Sequence, residues 1–197
     1  VFVGDEHDPT FYTIDKFCKE HQIRAWLEHV EEPRSVDKRD WTHHRYRRMV
    51  DLRNILLNAV RRLNPGLFLS LDSDILLHQD AIYNMLETIG RFDAVGGKTY
   101  MTPSGRRAPS YANLTPTGNL RRPDHDGVIE VQCIMAIKLM TQPAYNIDYE
   151  FDKHGEDIGW SRAARKAGLK LGWDGRIVNK HIMSPDRIDW FDIRAGF

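Results

Sequence analysis

The stretch from Leu67 to Leu77 constrains this chain more than any other. Leu67-Phe68-Leu69-Ser70-Leu71 is an apolar run of strand length that breaks at Asp72-Ser73-Asp74, after which apolar residues resume at Ile75-Leu76-Leu77. A buried strand accounts for the run. It does not account for the two carboxylates at its end, because an unpaired carboxylate is costly to bury. In α/β sheets the carboxyl end of a strand is where ligands bind. Two carboxylates at such an end suit a hard divalent cation that carries phosphate oxygens and takes few protein ligands. The plainer alternative is a polar strand end, with Asp74 capping a helix from Gln79 to Thr88.

The surrounding pattern places this segment third in a strand-helix series. Val1-Phe2-Val3-Gly4-Asp5 reads as a short strand, and Phe11, Ile14 and Phe17-Cys18 carry helical spacing over Thr10 to His21. Ile23 to Leu27 reads as a second strand, and the charged stretch Glu31 to Trp41, with Pro33, reads as a surface loop. From His44 to Leu63, Met49, Leu52, Ile55-Leu56 and Ala59-Val60 form one apolar stripe among arginines, which predicts a strong amphipathic helix stopped by Asn64-Pro65-Gly66. Strands alternating with helices predict right-handed crossovers and an α/β, Rossmann-like architecture with a mostly parallel central sheet.

Beyond Ile89, Phe92 to Gly97 and Val128 to Ile137 read as strands, Ile158 to Ala167 as a helix closed by Gly168, and Leu169 to Trp173 and Ile177-Val178 as further strand pieces. Residues 102–127 are rich in Pro, Gly, Arg, Asn and Thr and lack apolar periodicity, so they are expected to form a flexible active-site loop. Arg106-Arg107 and Arg121-Arg122 could close over a ligand there, or be ordinary solvated charges.

With 197 residues the chain fits one domain with a sizeable core. Lys plus Arg and Asp plus Glu both number 28, which argues against broad attraction to nucleic acid or anionic membranes. The 2 cysteines, Cys18 and Cys133, lack metal-like spacing and are expected to be buried free thiols in a reducing, cytoplasmic setting. No apolar run approaches the roughly 20 residues needed to cross a bilayer.

Two later features could carry chemistry. Glu156 and Asp157 precede a helix, where carboxylates meet the N-terminal dipole favourably. Either Asp157 is a cap, or it is a general base within reach of an acceptor hydroxyl. His181 follows the apolar Ile177-Val178 and, taken alone, is more often structural than a ligand.

In order, Asp72-Ser73-Asp74, a long polar loop, Gly155-Glu156-Asp157 and His181 resemble the nucleotide-sugar glycosyltransferases of the GT-A fold. The helix around Leu52-Arg53-Asn54 is similar to the Arg-Asn helix of many members, and Val3-Gly4-Asp5-Glu6-His7-Asp8-Pro9-Thr10 to their acidic first loop, with His7 where Ser is usual. The resemblance implies a single GT-A domain over residues 1–197, with a small mixed sheet near the active site. It implies Mn2+ or Mg2+ held by Asp74 and His181, with Asp72 reaching the ribose, a metal-bound water or the ion. Donor contacts would come from Asp72, Ser73, Arg53 and Asp5. Asp157 would be the base of an inverting transfer, Glu156 would hold the acceptor or orient Asp157, and Trp160 would either stack on an acceptor ring or pack in the core. A UDP- or GDP-sugar is the implied donor, and nucleic acid remains among the open acceptor classes. The family usually begins with one more strand and helix, absent here, so the N-terminal strand is expected to be missing.

Two rivals stand beside this reading. A haloacid-dehalogenase-type phosphatase also places Asp-x-Asp after a strand, but in its opening strand, whereas two strand-helix units precede Asp72. A sugar-nucleotide-binding domain that lost turnover would more often have lost Asp74 or Asp157.

Overall fold

The computed structural model describes residues 1–5, 9–30, 42–101, 111–114, 120–121 and 125–182. In chain order the elements are β1 (Phe2–Asp5), α1 (Pro9–Glu20), β2 (Leu27–Val30), α2 (His43–Leu63), β3 (Leu67–Leu71), β4 (Ile75–Leu76), α3 (Ala81–Ile89) and β5 (Ala94–Met101). They continue with β6 (Tyr111–Leu114), β7 (Leu120–Arg121), β8 (Val128–Val131), β9 (Cys133–Ile134), β10 (Ile137–Thr141), α4 (Gln142–Tyr145), α5 (Glu156–Lys166) and β11 (Leu171–His181).

The fold is α/β, as expected, but its principal sheet is mixed and not mostly parallel. Its order is β3-β10-β5-β11-β4, with β8 also paired to β11. β10 runs antiparallel to both β3 and β5, and β11 runs parallel to β5. So β3, β5 and β11 share one direction, while β10, β4 and β8 oppose it. Side-chain alternation reports which face a residue occupies and carries no sign of strand direction, which is why periodicity alone missed β10. β1 and β2 form a separate parallel pair, and β2 begins at Leu27, where the expected strand would have ended.

Long β11 organises the edge of the sheet. Leu171–Asp174 pairs with β8, and Lys180 and His181 pair with Leu76 and Ile75 of β4. A register shift between Asp174 and Val178 separates the two halves. The two strand pieces expected at Leu169 to Trp173 and Ile177-Val178 are therefore one strand with an irregularity. Conversely, the single strand expected over Val128 to Ile137 is three: β8, β9 and the start of β10.

Most of the expected loop at 102–127 lies outside the described residues. The described parts include β6 and β7, which join β9 in a small sheet that is antiparallel throughout, not mixed.

α2 matches its expected span, and its ends show why. Thr42 accepts the Arg45 N–H at 3.3 Å as N-cap, and Asn64 closes the helix in the left-handed region at φ 46°. Its buried residues Leu57 and Val60 join Trp160, Trp173, Tyr145, Tyr149 and Met140 in the larger core. A second core under α3 gathers Met85, Ile89, Val95, Ile137, Leu139 and Ile177. Cys18 and Cys133 are buried free thiols. Among the described residues no helix is long and apolar enough to cross a membrane.

Candidate active site

β3 delivers Asp72 to the sheet end, and the Ile75 N–H closes a turn onto the Asp72 carbonyl at 3.1 Å. The turn sends the two carboxylates to different partners. Asp72 receives the guanidinium of Arg53 from α2. Asp74 Oδ2 lies 2.9 Å from Nε2 of His181 at the end of β11, and the Ile182 N–H donates to the Asp74 carbonyl at 2.7 Å. The pairing of His181 with Ile75 fixes this approach. Asp74 therefore does not cap a helix; the N-cap of α3 is Asp80. Ser73, between the carboxylates, is exposed.

Asp74 and His181 fit a hard divalent ion. Neighbouring ligands on an octahedral ion with bonds of about 2.1 Å stand about 3.0 Å apart, close to the 2.9 Å found between these donors. Among the described residues no group of three or more His, Cys, Asp or Glu could hold a metal.

Arg53 is buried on α2, and its Nη2 is 3.9 Å from Oε1 of Glu156, the first residue of α5. Burial opposes its charge, but Asp72 outweighs that and holds the guanidinium above its ordinary range. The next residue, Asn54, makes a reciprocal pair with the backbone of Tyr149: its Nδ2 donates to the Tyr149 carbonyl at 3.1 Å, and its Oδ1 accepts the Tyr149 N–H at 2.8 Å. Arg61 donates to the Tyr145 carbonyl at 3.1 Å. α2 is thus fastened at several levels to the segment that leads into α5.

That segment is held tightly at its far end as well. Gly155 adopts φ 118°, and a Cβ at Gly159 would stand 1.8 Å from the Glu150 carbonyl oxygen, so α5 packs directly on backbone. Glu156 is buried, and burial together with the charge of Asp157 raises its carboxyl to about 7 against the opposing pull of Arg53.

Asp157 has a different environment. Its Oδ1 accepts from Lys138 Nζ at 2.5 Å and its Oδ2 from the Ala136 N–H at 3.2 Å. Burial alone would raise its carboxyl, but Lys138 and then Arg53 hold it below the ordinary carboxylate value. Lys138 is fully buried in β10, donates to the Tyr149 hydroxyl at 3.3 Å and lies over the Tyr149 and Trp160 rings at 5.5 and 5.9 Å. The pairing of Lys138 with Ser70 brings it beside the end of β3.

Trp160 is fully buried in the larger core, with its ring 6.0 Å from that of Tyr149. It presents no exposed face on which an acceptor ring could stack, so the core-packing alternative describes it. Asp5 ends β1, opposite Val30 in register; its side chain and residues 6–8 lie outside what the structure describes. Asp72, Arg53, Glu156, Asp157, Asp74 and His181 are gathered around the end of β3. Lys138 and Tyr149 join them unanticipated. The signal for Lys138 was present in Ile134-Met135-Ala136-Ile137-Lys138-Leu139-Met140, since a lysine within a buried apolar run demands a carboxylate.

No protein-family model matches the sequence, and no curated protein matches it. Solved structures do. The chain is similar to A197 from STIV at 15% identity and TM-score 0.52, over 89% of this chain and 83% of that one. It is similar to the inositol-1-phosphate CTP transferase from T. maritima at 12% identity and TM-score 0.55, over 98% and 74% of the two chains. It is also similar to the nucleoside-diphosphate-sugar pyrophosphorylase from Vibrio cholerae RC9 at 10% identity and TM-score 0.52, over 94% and 76%. At such identities the likeness concerns the fold alone. The chain shares its fold with a CTP transferase and a nucleotide-sugar pyrophosphorylase.

Proposed function

We propose that this protein is a metal-dependent glycosyltransferase that moves a sugar from a nucleoside-diphosphate donor, a UDP- or GDP-sugar, to an acceptor hydroxyl. The observation that carries this reading is the 2.9 Å approach of Asp74 to His181, across 107 residues of sequence, beside an Asp72 that faces Arg53. Mn2+ or Mg2+ held by Asp74 and His181, with Asp72 near the ion or its water, would supply Lewis-acid stabilisation of the departing diphosphate. Arg53 brings a permanent positive charge to the same end of β3, and Ser73 offers an exposed hydroxyl between the two carboxylates. Asp5 is assigned to the donor on the resemblance of its loop. The Glu156–Asp157 pair at the start of α5 supplies the carboxylate that takes the acceptor proton, which gives inversion at the anomeric carbon.

The names of two structural neighbours favour a second reading, nucleotidyl transfer to a sugar phosphate. That reaction uses a phosphate nucleophile that needs no general base, so the carboxylate pair at α5 speaks for the first. The products separate them. Incubation with nucleotide sugars and Mn2+ should release nucleoside diphosphate. Release of pyrophosphate from nucleoside triphosphate and sugar phosphate, with no nucleoside diphosphate from the sugar donor, would replace the proposal by its rival.

A further inference from the structure

We propose that the two carboxylates at the head of α5 divide their work: Glu156 receives the acceptor proton, and Asp157 is a positioning residue that stays ionised to hold Lys138 and the turn at Ala136. The inference rests on the glycosyl-transfer reading and reverses, within that reading, the roles expected from the motif.

A general base ends the step protonated. Asp157 engages Lys138 with one oxygen and the Ala136 N–H with the other, at 2.5 and 3.2 Å. Lys138 is 0% exposed, and its other neighbours are the Tyr149 hydroxyl and two aromatic faces. A proton on Asp157 would strip a fully buried ammonium of the one carboxylate it contacts among the described residues, leaving only the more weakly acting Asp72. A proton on Glu156 costs Arg53 only a partner at 3.9 Å, because Arg53 keeps Asp72. The charged groups acting on Glu156 are its neighbour Asp157, Arg53 from α2 and Lys138 from β10. Of the two carboxylates, Glu156 is the one raised to about 7, close to the working pH of a general base.

Asp157 has a positioning task of its own. Ala136 sits at φ 64°, and the Ile137 N–H donates back to the Met135 carbonyl at 2.8 Å, which makes a γ-turn of the rare positive-φ kind on a residue with a Cβ. Such a turn persists only where its surroundings hold it. Asp157 accepts its N–H, and Lys138, two residues on, anchors the same carboxylate. The pairing of Ile137 with Leu71 brings this turn alongside Asp72. In the transfer, the acceptor oxygen bonds to the anomeric carbon as its proton passes to Glu156. The bond from that carbon to the diphosphate breaks with its electron pair on the phosphate oxygen, and Glu156 returns the proton to solvent.

The test follows nucleoside diphosphate release from UDP-glucose and GDP-mannose with Mn2+ and water as acceptor, from pH 5 to 9, in the wild type, E156Q and D157N. The wild type should show an acidic limb near pH 7. E156Q should lose at least about 100-fold in kcat and flatten that limb, with donor KM changed little. D157N should lower activity while keeping the limb. A limb that survives in E156Q and vanishes in D157N overturns the assignment. A 13C-carboxyl titration of the wild type needs no variant to fold: a Glu resonance moving near neutral pH, with no Asp resonance doing so, is the expected result. An Asp157 resonance that titrates near neutral while Glu156 titrates in the ordinary range overturns it. If neither donor is cleaved by the wild type, the glycosyl-transfer reading fails separately, and the titration still decides which carboxylate holds the exchangeable proton.

Discussion

Two acidic pairs bracket the candidate site, and they are alike in sequence and opposite in setting. Asp72 and Asp74 lie in a turn, are partly exposed, and face partners from two other elements, the Arg53 guanidinium and the His181 imidazole. Glu156 and Asp157 open a helix, are nearly buried, and are set apart by one lysine. In the first pair the chain sends each carboxylate to a different neighbour by turning between them. In the second, Lys138 locks Asp157 and leaves Glu156 with the unfavourable share of burial. Carboxylates spaced for the same chemistry acquire different proton affinities from the countercharge each one finds.

The largest effect should come from breaking the buried lock. K138M leaves Asp157 without its ammonium and should cost about 3–5 kcal/mol in urea unfolding. The double variant K138M/D157L removes both charges and should recover most of that loss. A double variant no more stable than K138M would show that the ion pair is not what the site depends on.

Glu156 should behave in the opposite sense. Its folded carboxyl is raised to about 7, so the folded state binds this proton more tightly than the unfolded chain does. Folding is favoured while it is protonated, and stability falls as pH climbs from the ordinary carboxylate range through about 7. E156Q should therefore be more stable than the wild type at pH 8 by an amount on the order of 2 kcal/mol, with no gain at pH 4.5. Asp157, held low, contributes stability that is present above the unfolded carboxylate value and is lost as pH falls through its folded one. D157N should remove that acid sensitivity, in contrast to E156Q.

G159A adds a Cβ 1.8 Å from the Glu150 carbonyl oxygen and pushes α5 away from the segment that Asn54 fastens. A loss of about 1–3 kcal/mol is expected from overpacking, readable as a lower Tm. The smallest stability effect belongs to the first pair. D74N should change stability by less than about 1 kcal/mol, because a partly exposed polar contact contributes little.

What was legible beforehand follows the same division. The amphipathic stripe and the Asn64-Pro65-Gly66 stop placed α2, because helix periodicity and a left-handed cap are local signals. The break at Asp72 was legible for the same reason. The direction of β10 was not, since antiparallel insertion between β3 and β5 depends on partners far along the chain. Val128 to Ile137 reads as one apolar strand because Gln132 and Ala136, where it actually breaks, bear no Gly or Pro. Lys138 could have been asked for its partner, but nothing local says that the partner is Asp157 and not Glu156. Trp160 shows the limit from the other side: helical spacing near a carboxylate pair suits both an acceptor platform and a core residue, and burial decides for the core.

The most direct measurement is thermal stability of the wild type and D74N against UDP, GDP, CDP and ADP, each with and without Mn2+. Ligand bound only by the folded state raises apparent stability by mass action. A shift that requires both one nucleotide and the metal, and that disappears in D74N while E156Q keeps it, is the predicted result. A nucleotide shift that ignores the metal, or survives unchanged in D74N, would contradict the placing of the cation at Asp74 and His181.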